Sequence, residues 1–210
     1  KNFEEQTEYD KGYSVNDIFK LNNVGIVTAK DTVLIKDKYD DLLESISSNY
    51  SIEFNKNVVK KITYRPFDNK FVYYDTNIVE RAREKIMQHF LNGNNIGLVI
   101  GRQGQVVGSM PWNLSFITNS ITDFNLYYRG GGTTYPLYLY PENNDQKTIG
   151  QTIERTPNLN AVIVKQLADI LGLTFTNEKE TTANTFAPID ILDYIYAVLH
   201  SPTYREKYKE

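Results

Sequence analysis

The stretch Val58-Val59-Lys60-Lys61-Ile62-Thr63-Tyr64-Arg65-Pro66-Phe67-Asp68-Asn69-Lys70-Phe71-Val72-Tyr73-Tyr74 decides the fold class. Its two ends are rich in β-branched and aromatic residues, and they predict strands over 58–64 and 70–74. Between them Pro66 fixes its own φ and Asp68-Asn69 tolerate tight backbone geometry, so 65–69 reads as a hairpin turn. Towards the N-terminus, 24–27 and 32–35 are short β-branched runs on either side of Thr28-Ala29-Lys30-Asp31, which predicts a second hairpin. Residues 37–48 predict a helix with Tyr39, Leu42, Leu43 and Ile46 on one face. In the other direction a helix capped by Thr76 or Asn77 carries Ile78, Ala82, Ile86 and Phe90 at four-residue spacing and ends at Gly93. Residues 96–100 and 137–140 predict strands. Helices follow over 159–171, stopped by Gly172, and over 189–200, started by Pro188. The class is therefore α+β: a mixed, largely antiparallel sheet in the first two thirds with helices packed on it, then a helical C-terminal third.

Composition narrows the chemistry. The chain has 210 residues, 40% hydrophobic and 23% charged, enough to bury a core. No run approaches the roughly 18 apolar residues of a membrane span, and a cytoplasmic location is expected. There is no cysteine, which excludes disulfides, thiolate metal sites and a cysteine nucleophile. His89 and His200 are the two histidines, and neither has a partner at metal-ligand spacing. The 16 tyrosines admit two readings, a ligand-touching surface or ordinary core rings. The net charge of −3 divides as −3 over 1–60, +2 over 61–150 and −2 over 151–210, so the middle is the positive part. The first dozen residues are polar and acidic, as in a linker. The chain opens on Lys1 without a leader-like apolar segment and closes on a charged string, so it is expected to be an excised piece of a larger polypeptide.

Catalytic signatures fail one by one. Gly101, Gly104 and Gly108 lack dinucleotide-fingerprint spacing, and Gly130-Gly131-Gly132 is followed by Thr133, not by the Gly-Lys-Ser/Thr of a phosphate cradle. Asp68-Asn69-Lys70 and Asp145-Gln146-Lys147 both fit the short part of a metal-dependent nuclease site, but a three-residue pattern met twice carries little. One echo stands out: Asn22-Asn23-Val24-Gly25-Ile26-Val27 resembles Asn94-Asn95-Ile96-Gly97-Leu98-Val99, which suggests two strands entered by a similar turn.

What survives is recognition. From 91 to 140 formal charge is confined to Arg102, Asp123 and Arg129. The rest is polar, aromatic or glycine, and Arg102, Gln103, Gln105, Asn113 and Arg129 can each make several hydrogen bonds. Arg pairs bidentately with guanine, and Asn or Gln with adenine, in a DNA major groove. The same side chains suit a carbohydrate- or protein-binding module that uses surface tyrosines, or a loop cluster without a ligand.

The strings themselves are similar to a known family. Ile62 to Asp75 resembles the Tyr-Arg-Pro-Phe-Asp-x-Arg-x-x-Tyr-Tyr segment of the C-terminal specificity domain of type ISP restriction–modification enzymes. The blocks starting at Asn94, Phe116, Tyr135 and Ile191 resemble that family's later segments in order, and Gly25 to Asp31 resembles its Gly-Ile-x-Thr-x-Arg-Asp segment. Lys30 and Lys70 stand where the family has arginines. The resemblance covers 14–205, with 1–13 as the linker from an upstream methyltransferase domain and 206–210 as a truncated tail. It implies a parent enzyme that methylates adenine N6 with S-adenosylmethionine and cleaves DNA with an ATP- and Mg-dependent machinery. The Asn-Pro-Pro-Tyr and Walker-type motifs of those activities are absent here, so the fragment itself is expected to be non-catalytic and without a cofactor. Its implied partners are double-stranded DNA and the upstream methyltransferase domain, with no membrane. Base-reading would fall to Arg102, Gln103, Gln105, Asn113 and Arg129, and backbone contacts to Lys30, Arg65, Gly131, Thr133 and Thr134. A structural alternative for Arg65 is an ion pair with Asp68 that fixes the turn.

Overall fold

A computed structural model describes residue 7 and residues 10–141 and 154–208. Two four-stranded sheets organise it. The hairpin of strands β3 (Val59–Arg65) and β4 (Asp68–Tyr73) is the centre of one. Strand β2 (Ile35–Lys36) adds antiparallel to β4, and β7 (Ile121–Thr122) adds parallel to β3. The other sheet has the order β1-β8-β5-β6 and is antiparallel throughout. Its strands are β1 (Asn23–Val24), β5 (Gly97–Ile100), β6 (Ser115–Thr118) and β8 (Thr133–Pro136). Two short pairs complete the strand set: β9 (Tyr138–Leu139) with β10 (Thr156–Pro157), and β11 (Thr174–Phe175) with β12 (Thr185–Phe186).

The sheets are joined by a seam of hydroxyls. Thr63 of β3 lies 2.7 Å from Thr118 of β6, and Thr122 of β7 lies 2.8 Å from Thr134 of β8. All four residues are buried, so their hydroxyls find their partners in one another. A one-turn helix, α1 (Val15–Ile18), precedes the first strand, and longer helices cover the outer faces of the sheets. Helix α3 (Tyr39–Asn49) seats Leu42 and Ile46 against Tyr73, while α4 (Glu84–Leu91) seats Ile86, Met87 and Phe90 against Ile62, Val72 and Ile121. Helices α5 (Ala161–Leu171) and α6 (Pro188–His200) pack Ile163, Val164, Ile191 and Ile195 on Leu98 and Tyr135 of the second sheet. Gly172 ends α5 at φ 64 and Pro188 opens α6, each for the reason its residue type predicts.

Three expectations change. Residues 24–35 do not form a hairpin: β1 is followed by a one-turn helix, α2 (Asp31–Leu34), and β2 then joins β4. The helix expected from Thr76 starts at Glu84, because Arg81 first bridges Val27 and Arg83 takes a left-handed φ of 55. The hairpin turn is tighter than 65–69, with Pro66-Phe67 alone at its tip. A last helix, α7 (Pro202–Tyr208), ends the described residues.

The internal echo is local structure. Asn23 Oδ1 accepts from Val24 N at 2.8 Å and Asn95 Oδ1 from Ile96 N at 3.0 Å. The strands they open, β1 and β5, then flank β8 from either side. Among the described residues no helix is long and apolar enough to cross a membrane.

Candidate functional site

The low-charge stretch becomes β5 to β8 together with two loops, 101–114 and 123–132, on the sheet face turned away from α5 and α6. Beneath the loops lies a small apolar floor of Val99, Leu126 and Tyr127, with Leu114 and Phe116 at its edge. Tyr127 fixes this floor by donating its hydroxyl to Val99 O at 3.0 Å. The first loop is held from outside by the C-terminal helices. Trp112 Nε1 donates to Gly101 O at 2.8 Å, Arg205 lies 5.5 Å over the Trp112 ring, and His200 Nε2 meets Ser115 Oγ at 2.9 Å.

Arg102 and Gln105 converge with Gly131. Gln105 Oε1 accepts from the Arg102 amide across the 3-10 turn Gln103–Gln105, which leaves Nε2 pointing the other way. A methyl group added at Gly131 would sit 3.7 Å from Arg102 Nη2 and 3.9 Å from Gln105 Nε2. Gln105 is only 6% exposed, and its Nε2 is buried without a hydrogen-bond partner. A buried donor left unpaired costs about 1–3 kcal/mol, so this amide is a donor held in reserve. The turn beneath it is unusual: Arg129, Gly130 and Gly131 take φ values of 67, 71 and 75 in succession. Gly130 is required sterically, because an added Cβ would lie 2.3 Å from the Phe124 ring.

A cleft of about 390 Å³ borders the second loop, between 26–32 and 123–125. Under its wall lies an acidic pair. Asp123, 2% exposed, takes Arg65 Nη1 at 2.7 Å and the Asn125 amide at 2.8 Å. Asp31 accepts from Thr28 Oγ1, and from Tyr64 OH at 3.1 Å. Burial first, and the Asp31 charge second, push the Asp123 carboxyl up to about 6, with Arg65 opposing. The Arg65 guanidinium also stacks 3.8 Å over the Tyr64 ring, and Lys70 sits over the same ring at 5.1 Å.

The sequence-derived candidates thus divide. Arg102, Gln103, Asn113 and Arg129 are exposed on the two loops, with Arg129 5.3 Å over the exposed Tyr128 ring. Lys30 is exposed on the far rim of the cleft, 3.3 Å from Tyr50 OH. Thr133 is half-buried where β8 starts. Arg65 pairs with Asp123, not with Asp68, whose ion-pair partner is Lys70 at 3.7 Å. Thr134 is fully buried with its hydroxyl on Thr122, so it is removed as a backbone contact. The Gly131 amide is taken by Phe124 O at 2.8 Å, so this glycine contributes space, not a donor. Sequence reasoning missed Asp123 and the turn residue Phe67. Both lie in strings that pattern assigns to structure, and only pairing or exposure reveals them.

Among the described residues the tyrosine-surface reading loses its support. Tyr73, Tyr74, Tyr127, Tyr135, Tyr138 and Tyr140 are buried, and the exposed Tyr13, Tyr128 and Tyr194 lie on three separate segments. No row of surface tyrosines exists among the described residues. No group of three His, Cys, Asp or Glu side chains could hold a metal among them either. Asp145 and Lys147 lie outside the described residues.

Three solved structures share the fold. DrdV, in a cryo-EM DrdV–DNA complex, matches at 22% identity with a TM-score of 0.67 over 91% of this chain. The ATP-dependent Type ISP restriction–modification enzyme LlaBIII, bound to DNA, matches at 17% and 0.68 over 93%. A nuclease-deletion mutant of the Type ISP restriction–modification enzyme LlaGI, in complex with a DNA substrate mimic, matches at 16% and 0.61 over 93%. The chain spans only 20%, 14% and 19% of those proteins respectively. Among curated proteins it has no match. Residues 39–210 fit the family model of the Type ISP C-terminal specificity domain, and the chain belongs to that family.

Proposed function

We propose that the chain is the target recognition domain of a restriction–modification enzyme, reading a short sequence on duplex DNA. The observation that carries this reading is the convergence of two low-charge loops around Gly131. They expose Arg102 and Arg129 and hold the Gln105 amide as an unspent donor on a rigid floor. Arginine and amide side chains on fixed loops are what base-edge readout requires. Arg102 and Arg129 have no ion pair among the described residues, so a DNA acceptor would not have to displace an existing carboxylate. Phosphate contacts fall to Lys30 at the cleft, to Arg65 and to Thr133 at the start of β8, and they set register.

The larger enzyme would supply the chemistry. An upstream methyltransferase domain would use S-adenosylmethionine on an adenine that must leave the stack, and the restriction activity would use ATP and Mg. This domain would select the site and present the base. The three DNA-bound proteins that share the fold support this assignment.

The direct test is a binding titration against a randomised duplex library, using the longest natural polypeptide that contains residues 1–210. Enrichment of one short asymmetric sequence, with affinity falling steeply between 50 and 200 mM salt, is the expected result. Salt-insensitive binding, or enrichment of no sequence, would refute it. Sequencing modified bases in a host that expresses the polypeptide gives an independent readout: one methylated adenine motif.

A further inference from the structure

The hairpin tip carries a side chain that the fold does not need. Pro66 holds φ negative at the first central position, which excludes the primed turns that hairpins usually adopt. Phe67 follows at φ 64, so the turn belongs to the kind whose second central residue is normally glycine. An aromatic residue is strained there. It is also 90% exposed, so almost none of its ring is repaid by burial. Its contact is with Phe116, edge-on at 5.1 Å and 87°. Phe116 borders the floor of Val99, Leu126 and Tyr127 beneath the candidate reading loops, so Phe67 stands beside them. At its base Arg65 and Lys70 both lie over the Tyr64 ring, at 3.8 and 5.1 Å.

We infer that Phe67 is a wedge that enters the base stack of bound duplex DNA, parting one step beside the recognised sequence. This rests on the DNA-recognition reading above. The chemistry matches on each count. A flat apolar ring can replace the stacking that a parted step loses. A strained two-residue turn presents the ring at a fixed angle. Proteins that extrude a base for chemistry must pay for unstacking, and a wedge at the recognition domain would share that work with the catalytic side. The competing occupant, a neighbouring protein segment covering the ring, is separated by the same experiment.

The test uses duplexes carrying 2-aminopurine at successive positions of the recognised site, other than the methylated adenine, with anisotropy measured in parallel. The wild-type polypeptide should raise emission severalfold at one step. Phe67→Gly should abolish that rise and weaken binding on the order of tenfold. Its urea midpoint should not fall, because glycine relieves the backbone at φ 64. That separates loss of the wedge from loss of folding. Phe67→Leu, which keeps an apolar wedge, should retain most of the rise. An unchanged emission profile and affinity in Phe67→Gly would overturn the wedge alone, and so would Phe67 proving protected by protein before DNA is added. Failure of the wild type to bind any duplex would overturn the recognition reading, and the wedge with it.

Discussion

Asp123 makes stability fall as pH rises through the mildly acidic range, the reverse of the trend for a surface carboxylate in an ion pair. Its carboxyl is buried beneath the cleft and pushed from the ordinary 3.8 up to about 6, first by burial and then by Asp31. The folded state therefore holds this proton more tightly than the unfolded chain does. The resulting stabilisation is complete below pH 3.8 and is lost as pH rises through about 6. The gap of roughly two pH units, at about 1.4 kcal/mol each, amounts to about 3 kcal/mol. Asp17, Glu178 and Asp190, whose carboxyls are held low, slope the other way, so the wild-type curve alone is a composite. The informative quantity is the difference between wild type and Asp123→Asn, which stays neutral at every pH. In urea unfolding at constant ionic strength from pH 3.5 to 7.5, wild type should lose about 3 kcal/mol relative to the variant. Asp31→Asn, by removing the second cause, should move the Asp123 midpoint down in a carboxyl-carbon NMR titration. Parallel curves for wild type and Asp123→Asn between pH 4 and 6.5 would refute the reasoning, as would an Asp123 carboxyl that titrates at or below 3.8.

Other outcomes follow from single contacts. Arg102→Ala should relax sequence preference at one base pair by about 1–3 kcal/mol while leaving the urea midpoint unchanged, since the side chain is exposed; selection on a randomised library reads this. Asn158→Ala should destabilise the fold by about 3 kcal/mol in denaturant titration. That buried amide serves Leu21 N and O and Pro136 O at 2.9, 2.7 and 2.7 Å, and truncation leaves all three backbone groups unpaired. Gly25→Ala should cost at least the roughly 1–3 kcal/mol of an overpacked core. Its Cβ would fall 2.4–2.6 Å from the Asp123 and Thr122 backbone, so loop 123–132 should shift and sequence-specific binding should weaken in the same variant.

The parts of the fold that were legible are those decided by near neighbours. The β3–β4 hairpin, the stop of α5 at Gly172 and the start of α6 at Pro188 each follow from residues within a turn of the event. The parts that were not legible depend on partners far along the chain. Two-residue strands such as β1 and β7 exist because β8 and β3 reach them, and no pattern two residues long can announce that. Strands β6 to β8 hide behind a polar texture, because Thr118, Thr122 and Thr134 spend their hydroxyls on the seam between the sheets. The site shows the same division. Residue types in the charge-poor stretch point to Arg102 and Gln105, but their convergence on Gly131 is a matter of backbone path. Thr134 looks identical to Thr133 in sequence and differs by strand alternation alone, one facing inward. Phe67 reads as an ordinary turn residue until its φ and exposure are known.

The pairing of β1 with β8 has a consequence for synthesis on the ribosome. Asn23 meets Thr134, so the first strand emerges about 110 residues before its partner, an interval of roughly 5–20 s at ordinary translation rates. Until then the backbone edge of β1 lacks the strand it pairs with. The hairpin of β3 and β4, whose contacts are local, can close at once and shelter the chain behind it. The sheet beneath loops 101–114 and 123–132 therefore completes its inner strands only when β8 slots between β1 and β5. A chain halted before residue 133 lacks β8, and with it the strand that joins β1 to β5.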